Sequence, residues 1–176
     1  MRFLGLVVLL AAASPAVAAP ADCSKATIPD VPVHGTVNGQ PFAPQDATIT
    51  FTKDGMVVDG VHLDRYALSI QTTDIFNALS VDMMVPGGKK PDGRVFRVLP
   101  TDSIHDQPAA APGTPEVQGW DLQLEAANVD TGFTQEVASI RVELGARKGD
   151  KLPGKIYFCV PGAKAEIMGT FNATLQ

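Results

Sequence analysis

The chain of 176 residues contains few of the residues from which recognisable active sites are built. It has two cysteines, three histidines and one tryptophan. A structural zinc site needs four ligands at short spacings, and neither C-x-x-C nor H-x-x-x-H occurs in the sequence. The nucleophile motif G-x-S-x-G and a glycine-rich phosphate loop are missing as well. The sequence therefore favours a protein without cofactor and without catalytic activity.

Long apolar runs are also missing, except at the start of the chain. Arg2 precedes the run "FLGLVVLLAAA" and the small residues "SPAVAA", which is the layout of a secretory signal peptide. The run is shorter than the roughly 20 residues that cross a bilayer as a helix. We therefore expect residues 1–18 to be a cleaved signal peptide and residues 19–176 to form one soluble domain, exported to the periplasm or the exterior.

Basic residues are in the minority. Lysine and arginine number 14 against 19 aspartate and glutamate, which gives a net charge of −5. Phosphate backbones and anionic lipid surfaces attract proteins of the opposite balance. We therefore expect a protein or a glycan, and not nucleic acid, as the partner. The sequence leaves the oligomeric state open.

The two cysteines, Cys23 and Cys159, lie near the two ends of the mature chain. Lipid attachment at Cys23 requires a small residue directly before it, where this sequence has Asp22. Cysteines of exported proteins usually pair, because the compartment is oxidising. The sequence thus predicts a Cys23–Cys159 disulfide that ties both ends of the domain together.

The surroundings of Cys159 predict where that link lies. In "KIYFCV", Ile156, Phe158 and Val160 share one side of an extended strand. Tyr157 and Cys159 share the other. If the first side enters the core, the N-terminal segment crosses the outside of this strand.

Alternation of apolar and polar residues runs through the mature chain. "ATITF", "WDLQLEA", "SIRVEL" and "EIMGTFNATL" each predict a half-buried strand. "NG" at Asn38 and "DG" at Asp54 and Asp92 predict tight turns. With 14 prolines and 16 glycines, long helices are not expected, and "TTDIFNALS" allows one or two helical turns at most. The pattern favours an all-β fold, an antiparallel β-sandwich or jelly roll.

The two ends of the domain carry a loose sequence pattern. The opening "VHGTVNGQPF" and the closing "IMGTFNATL" resemble small exported bacterial proteins of β-sandwich type. In those proteins a strand with G-x-V-x-G-x-x-F begins the domain and one with G-x-F-x-A ends it. The resemblance implies a fold and assigns no functional residue.

A polar cluster, "TDSIHD", lies in the proline- and alanine-rich stretch between Pro100 and Pro115. His105 with Asp102 or Asp106 is the candidate for a hydrolytic site. Solvent-exposed turn residues explain the same letters, and whether this loop becomes ordered on binding a partner is open.

Two further stretches are candidate binding sites. Asp54, Asp59 and Asp64 supply carboxylates for a calcium ion, although the D-x-D-x-D-G spacing is missing and aspartate-glycine turns explain them equally. Trp120 and Tyr66 are aromatic rings on which a sugar can stack, unless Trp120 fills one end of the core. The sequence as a whole favours an exported, non-catalytic binding or structural module of the bacterial cell envelope, with a glycan-binding module or a hydrolase as alternatives.

Overall fold

Ten β-strands form the described part of the chain, which contains no helix. The computed structural model describes residue 23 and residues 27–58, 60–73, 78–98, 116–123 and 139–176, with the backbone alone at 98 and 116–123. The strands are β1 (His34–Val37), β2 (Gln40–Phe42), β3 (Asp46–Val58), β4 (Val61–Gln71), β5 (Ala78–Pro86), β6 (Val95–Val98), β7 (Glu116–Gln123), β8 (Ser139–Leu144), β9 (Lys151–Val160) and β10 (Ala165–Leu175).

All ten strands belong to one sheet. Its order is β6-β8-β9-β10-β3-β4-β5-β7, and β1 pairs with both β10 and β2. Neighbouring strands are antiparallel except β3 and β10, which are parallel. The terminal strands β6 and β7 come into contact, so the sheet is nearly closed into a barrel. The all-β prediction is confirmed, whereas the finer prediction of a sandwich or jelly roll is not.

Alternating side chains fill the interior of this sheet. "ATITF" lies within β3, "SIRVEL" is β8 and "EIMGTFNATL" lies within β10, as their alternation predicts. One side of β3, β4, β5, β9 and β10 contributes to a single core, which includes Ile49, Leu68, Val81, Ile156 and Ile167. Burial of each such side chain contributes about 1.5–3 kcal/mol, so the alternation that identifies the strands also holds them together.

The turn signals have two different outcomes. Asn38 and Gly39 have φ values of 48° and 77° in the β1–β2 hairpin, as the "NG" pair predicts. Asp54 also has a positive φ, 51°, but it lies inside β3, where the pairing with β4 shifts register between Thr52 and Met56. The predicted turn at Asp54 is therefore a β-bulge within one long strand.

The end of "TTDIFNALS" is a strand. Ala78, Leu79 and Ser80 begin β5, and residues 74–77 lie outside the described residues. Among the residues described, no helix is long and apolar enough to span a bilayer.

Residues 27–32, which we name the N-terminal strap, lie across the outer side of β9 and β10. Ile28 of the strap packs against Tyr157 and Cys159, whereas Ile156 and Phe158 belong to the main core. Cys23 and Cys159 lie at disulfide distance, with sulfur atoms 2.02 Å apart and Cα atoms 5.5 Å apart. The chain thus crosses the outside of β9, on the side that the alternation in "KIYFCV" predicts.

Candidate functional site

Strand β3 continues past the end of its neighbour β10. It pairs with β4 from Asp46 to Val58, but β10 pairs only with Thr48 and Ile49. Gln176 extends this contact by donating to the Ile49 carbonyl at 2.9 Å and accepting from the Phe51 N–H at 3.3 Å. Beyond Phe51, no described strand pairs with this edge of β3. We name residues 51–58 and 60–66 the β3–β4 arm. Its β4 side pairs with β5 from Leu63 onward, whereas its β3 edge has no strand partner among the described residues.

Two large apolar side chains of the arm are exposed. Phe51 is 44% exposed and Val57 is 56% exposed. Phe51 lies opposite Tyr66 and Val57 opposite His62, so both point to the same side of the sheet despite the intervening bulge. The Phe51 ring packs against the Tyr66 ring with centroids 5.1 Å apart and planes at 41°. This tilted contact orients the exposed Phe51 ring.

A buried carboxylate fixes the bulge of the arm. Asp64 is only 3% exposed, and its two oxygens accept hydrogen bonds from the Asp54 N–H at 3.0 Å and the Gly88 N–H at 2.8 Å. These two bonds, the one from Gly88 foremost, hold the pKa of Asp64 below its usual value. Gly55 is required beside it, because a Cβ there would lie 2.6 Å from the Cβ of Arg65.

The calcium hypothesis gains little from this arrangement. Asp54 and Asp64 do come together, but through the backbone N–H of Asp54, which uses one Asp64 oxygen. The Asp54 carboxylate instead faces His62, with Oδ1 3.2 Å from Nδ1 on the exposed surface. Within the described ranges, no group of three histidine, cysteine, aspartate or glutamate side chains is placed to hold a metal, and Asp59 lies outside them.

Tyr66, the other sequence candidate on the arm, is buried. Its side chain is part of the main core, the residue is 6% exposed, and its hydroxyl donates to the Lys89 carbonyl at 3.3 Å. Burial, followed by the negative charge of Asp64, raises the pKa of the Tyr66 phenol. A buried ring cannot stack on a sugar, so Phe51 is the aromatic side chain that this surface presents to solvent.

The chain between β5 and β6 covers the Tyr66 hydroxyl. We name residues 87–94 the 87–94 loop. It leaves β5, whose neighbours are β4 and β7, and reaches β6, whose neighbour is β8. Its far end is held to β8 by the Leu144 N–H, which donates to the Arg94 carbonyl at 2.9 Å. Asp92 adds an ion pair with Arg147 at 3.4 Å. The loop thus joins the arm, through Asp64 and Tyr66, to the opposite part of the sheet.

A shallow cleft opens where β10 and β3 diverge. It has a volume of about 250 Å³ and is lined by Pro32, Pro44, Asp46, Ile70 and Phe171, among others. The Asp46 carboxylate accepts the neighbouring Ala47 N–H at 2.8 Å. The lining of the cleft thus mixes apolar side chains with polar ones, and its carboxylate is already hydrogen-bonded to the backbone.

The remaining sequence candidates cannot be assigned a geometry. Asp102, His105 and Asp106 lie outside the described residues. Trp120 belongs to β7, where its backbone is opposite Val81, and its side chain is outside the description. The hydrolytic site at His105 and the glycan-binding role of Trp120 therefore stay predictions from the sequence.

Comparison with known proteins gives no further assignment. No protein-family model matches the chain, and neither a curated protein nor a solved structure matches it.

Phe51 and Val57 are not among the candidate functional residues that the sequence indicates. "ATITF" places Phe51 on the same side as Ile49, and this side of the strand is indeed the inner one. A local signal was nevertheless present, because Phe51 is followed by the polar residues Thr52, Lys53 and Asp54 rather than by a continued alternation.

Proposed function

We propose that this protein is an exported, non-catalytic binding module of the cell envelope, and that the β3–β4 arm is its binding surface. The observation that carries the proposal is the coincidence of two exposed apolar side chains, Phe51 and Val57, with an edge of β3 that no strand of the described residues pairs with. Exposed apolar groups at an open edge are a recurrent basis of protein–protein contact.

Export is supported by two features. The first residues have the composition of a signal peptide, and the two cysteines lie at disulfide distance, which suits an oxidising compartment. The periplasm and the exterior fit these features equally.

The partner that suits the arm is an extended polypeptide segment of another protein. Gln176 already bonds to Ile49 and Phe51 as a neighbouring parallel strand does. The backbone geometry for strand addition therefore exists up to Phe51. The bulge held by Asp64 interrupts that edge at Asp54. We therefore propose a short backbone contact at Phe51 and Lys53, with Phe51 and Val57 as apolar anchors on the same side.

The test is a binding comparison between matched surface variants. The mature protein, immobilised, is incubated with envelope extract of its host, and retained proteins are quantified by mass spectrometry. The Phe51→Ser/Val57→Ser double variant is compared with Val95→Ser, because Val95 is also half exposed but lies on β6. We expect a partner that is retained by the wild type and the Val95 variant and lost with the double variant.

Two results would contradict this proposal. Equal retention by all three proteins would show that the arm is not the binding surface. Loss of a partner with the Val95 variant alone would move the surface to β6. The glycan-binding and hydrolase alternatives depend on Trp120 and His105, and a polysaccharide titration and a hydrolase screen of a His105→Ala variant test them separately.

A further inference from the structure

Among the described residues, the N-terminal strap is held to the sheet by backbone and hydroxyl hydrogen bonds, an ion pair and one buried side chain. The Val31 carbonyl accepts the Thr170 N–H at 2.7 Å and the Thr170 hydroxyl at 3.1 Å. An ion pair joins Asp30 to Lys155, but the Asp30 side chain is 80% exposed, and ion pairs at such positions contribute little. Ile28 is the buried apolar anchor of the strap.

The apolar contact of the strap is separate from the main core. Ile28, Tyr157 and Cys159 form a small cluster of their own, against which Cys23 and Met168 pack. The main core begins at Val33, the residue that follows the strap, and continues through Val37 and Phe42. The core of the sheet is therefore complete without the strap.

The strap covers a strand edge and a tyrosine. The backbone of Thr170 forms its bonds on the strap side of β10, at a position that the pairing with β3 further along the strand does not reach. The Thr170 N–H donates to the Val31 carbonyl, and the Val33 N–H donates to the Thr170 carbonyl. Gly169, at φ 131°, allows this approach, because a Cβ would lie 2.6 Å from the Val31 carbonyl oxygen. On the outer side of β9, Tyr157 is buried next to Ile28.

We propose that the Cys23–Cys159 disulfide is a redox switch for the strap. Ordering a chain segment carries an entropy cost for every residue, and Ile28 is the one buried residue among the six of the strap. The covalent link at Cys23 keeps the strap beside β9 and lowers that cost. When the link is broken, the strap leaves the Thr170 edge while the main core stays folded.

The chemical step is thiol–disulfide exchange with a dithiol. The first thiolate of the dithiol attacks the sulfur of Cys23, which is half-buried, rather than that of the fully buried Cys159. A mixed disulfide forms at Cys23 and Cys159 leaves as a thiolate. The second thiol then displaces Cys23, so the dithiol is oxidised to a disulfide and the protein gains two electrons and two protons.

Amide hydrogen exchange measured by NMR tests the switch on the full mature protein, with dithiothreitol as the dithiol. After reduction the Leu68 amide in β4 reports the global loss of stability, and we expect the exchange rate of the Thr170 amide to rise on the order of tenfold or more beyond the rise at Leu68. A Cys23→Ser variant without reductant should behave like the reduced protein. An oxidised Asp30→Asn variant, which loses only the ion pair, should keep Thr170 protected.

Two outcomes would overturn the proposal. If Thr170 keeps its protection in the reduced protein and in the Cys23→Ser variant, the strap is held by its own contacts. If Leu68 and Thr170 lose protection by the same factor, the disulfide holds the whole domain and not the strap in particular.

Discussion

The carboxylate of Asp64 accepts a hydrogen bond from the backbone N–H of Asp54 at 3.0 Å, ten residues earlier in the chain. Its second oxygen accepts the N–H of Gly88 at 2.8 Å. One buried side chain thus connects the bulge of the β3–β4 arm to the 87–94 loop. A buried carboxylate in this position has a structural role, because both of its oxygens are occupied by backbone donors.

Replacement of Asp64 by asparagine should destabilise the protein. The amide group keeps one acceptor but places an NH₂ against one of the two backbone donors, Asp54 or Gly88. We expect a loss of about 1–3 kcal/mol in the free energy of unfolding, measured by urea denaturation at neutral pH. Asp150→Asn on the exposed surface is the matched control, and an equal effect of both variants would contradict the role of Asp64.

The stabilisation by Asp64 should disappear in acid. Its pKa is lower in the folded protein than in the unfolded chain, because the folded state bonds the charged form. Its contribution is therefore complete above the unfolded value of about 3.9 and is lost as the pH falls through the folded value. Denaturation of the wild type and of Asp64→Asn should differ at neutral pH and converge below pH of about 4. A difference that stays constant down to the lowest pH would contradict this assignment.

A methyl group at Gly154 should also destabilise the sheet. Phe171 of β10 lies across Gly154 of β9, so that an added Cβ would clash with the edge of the Phe171 ring and lie 2.9 Å from the Glu143 carbonyl oxygen. Overpacking of this kind costs about 1–3 kcal/mol, and thermal or urea unfolding of Gly154→Ala measures it. Gly145→Ala is the control, because its nearest neighbour would be the Pro153 ring at 3.2 Å. We predict a larger loss in the free energy of unfolding for Gly154→Ala than for Gly145→Ala, and the opposite order would contradict this.

Much of the fold follows from alternation alone. Strands β8 and β10 and the outward side of Cys159 are readable from the sequence, because a two-residue period fixes which side chains share a face. The Asp54-Gly55 dipeptide predicts a turn where the structure has a bulge. A tight turn and a bulge can each contain a residue with positive φ, and the dipeptide alone does not distinguish them.

The nearly closed sheet and the exposed arm were beyond reach of the sequence for a different reason. Both depend on where strands distant in the chain meet. Phe51 and Tyr66 show the effect: their rings are in contact and on the same side of the sheet, yet one is exposed and the other buried. Phe51 lies beyond the last residue of β10, whereas Tyr66 lies under the 87–94 loop. The end of β10 and the 87–94 loop decide how exposed these two rings are, and both lie far along the chain from the ring concerned.

The exposed residues of the arm should contribute little to stability. Val57 is more than half exposed, so Val57→Ser should change the free energy of unfolding by no more than about 0.5 kcal/mol. Val81→Ala, in the core of β5, should cost about 1–3 kcal/mol as the contrasting variant. Urea denaturation of both proteins gives the comparison. A large loss at Val57 would mean that the arm is needed for folding, and binding defects of its variants would then not report on a contact surface.

Removal of both cysteines should destabilise the protein less than the length of the closed loop suggests. The two cysteines are 136 residues apart, for which the chain-entropy estimate is about 4–5 kcal/mol. If the strap is released on reduction, the folded state also gains conformational entropy. This gain offsets part of the entropy that the unfolded chain gains when the link is lost. We therefore expect a loss near the lower end of the usual range, about 2 kcal/mol, in urea denaturation of the Cys23→Ser/Cys159→Ser variant. Reduced wild-type protein should show the same loss, and an unchanged unfolding curve for either would contradict a stabilising link between these cysteines.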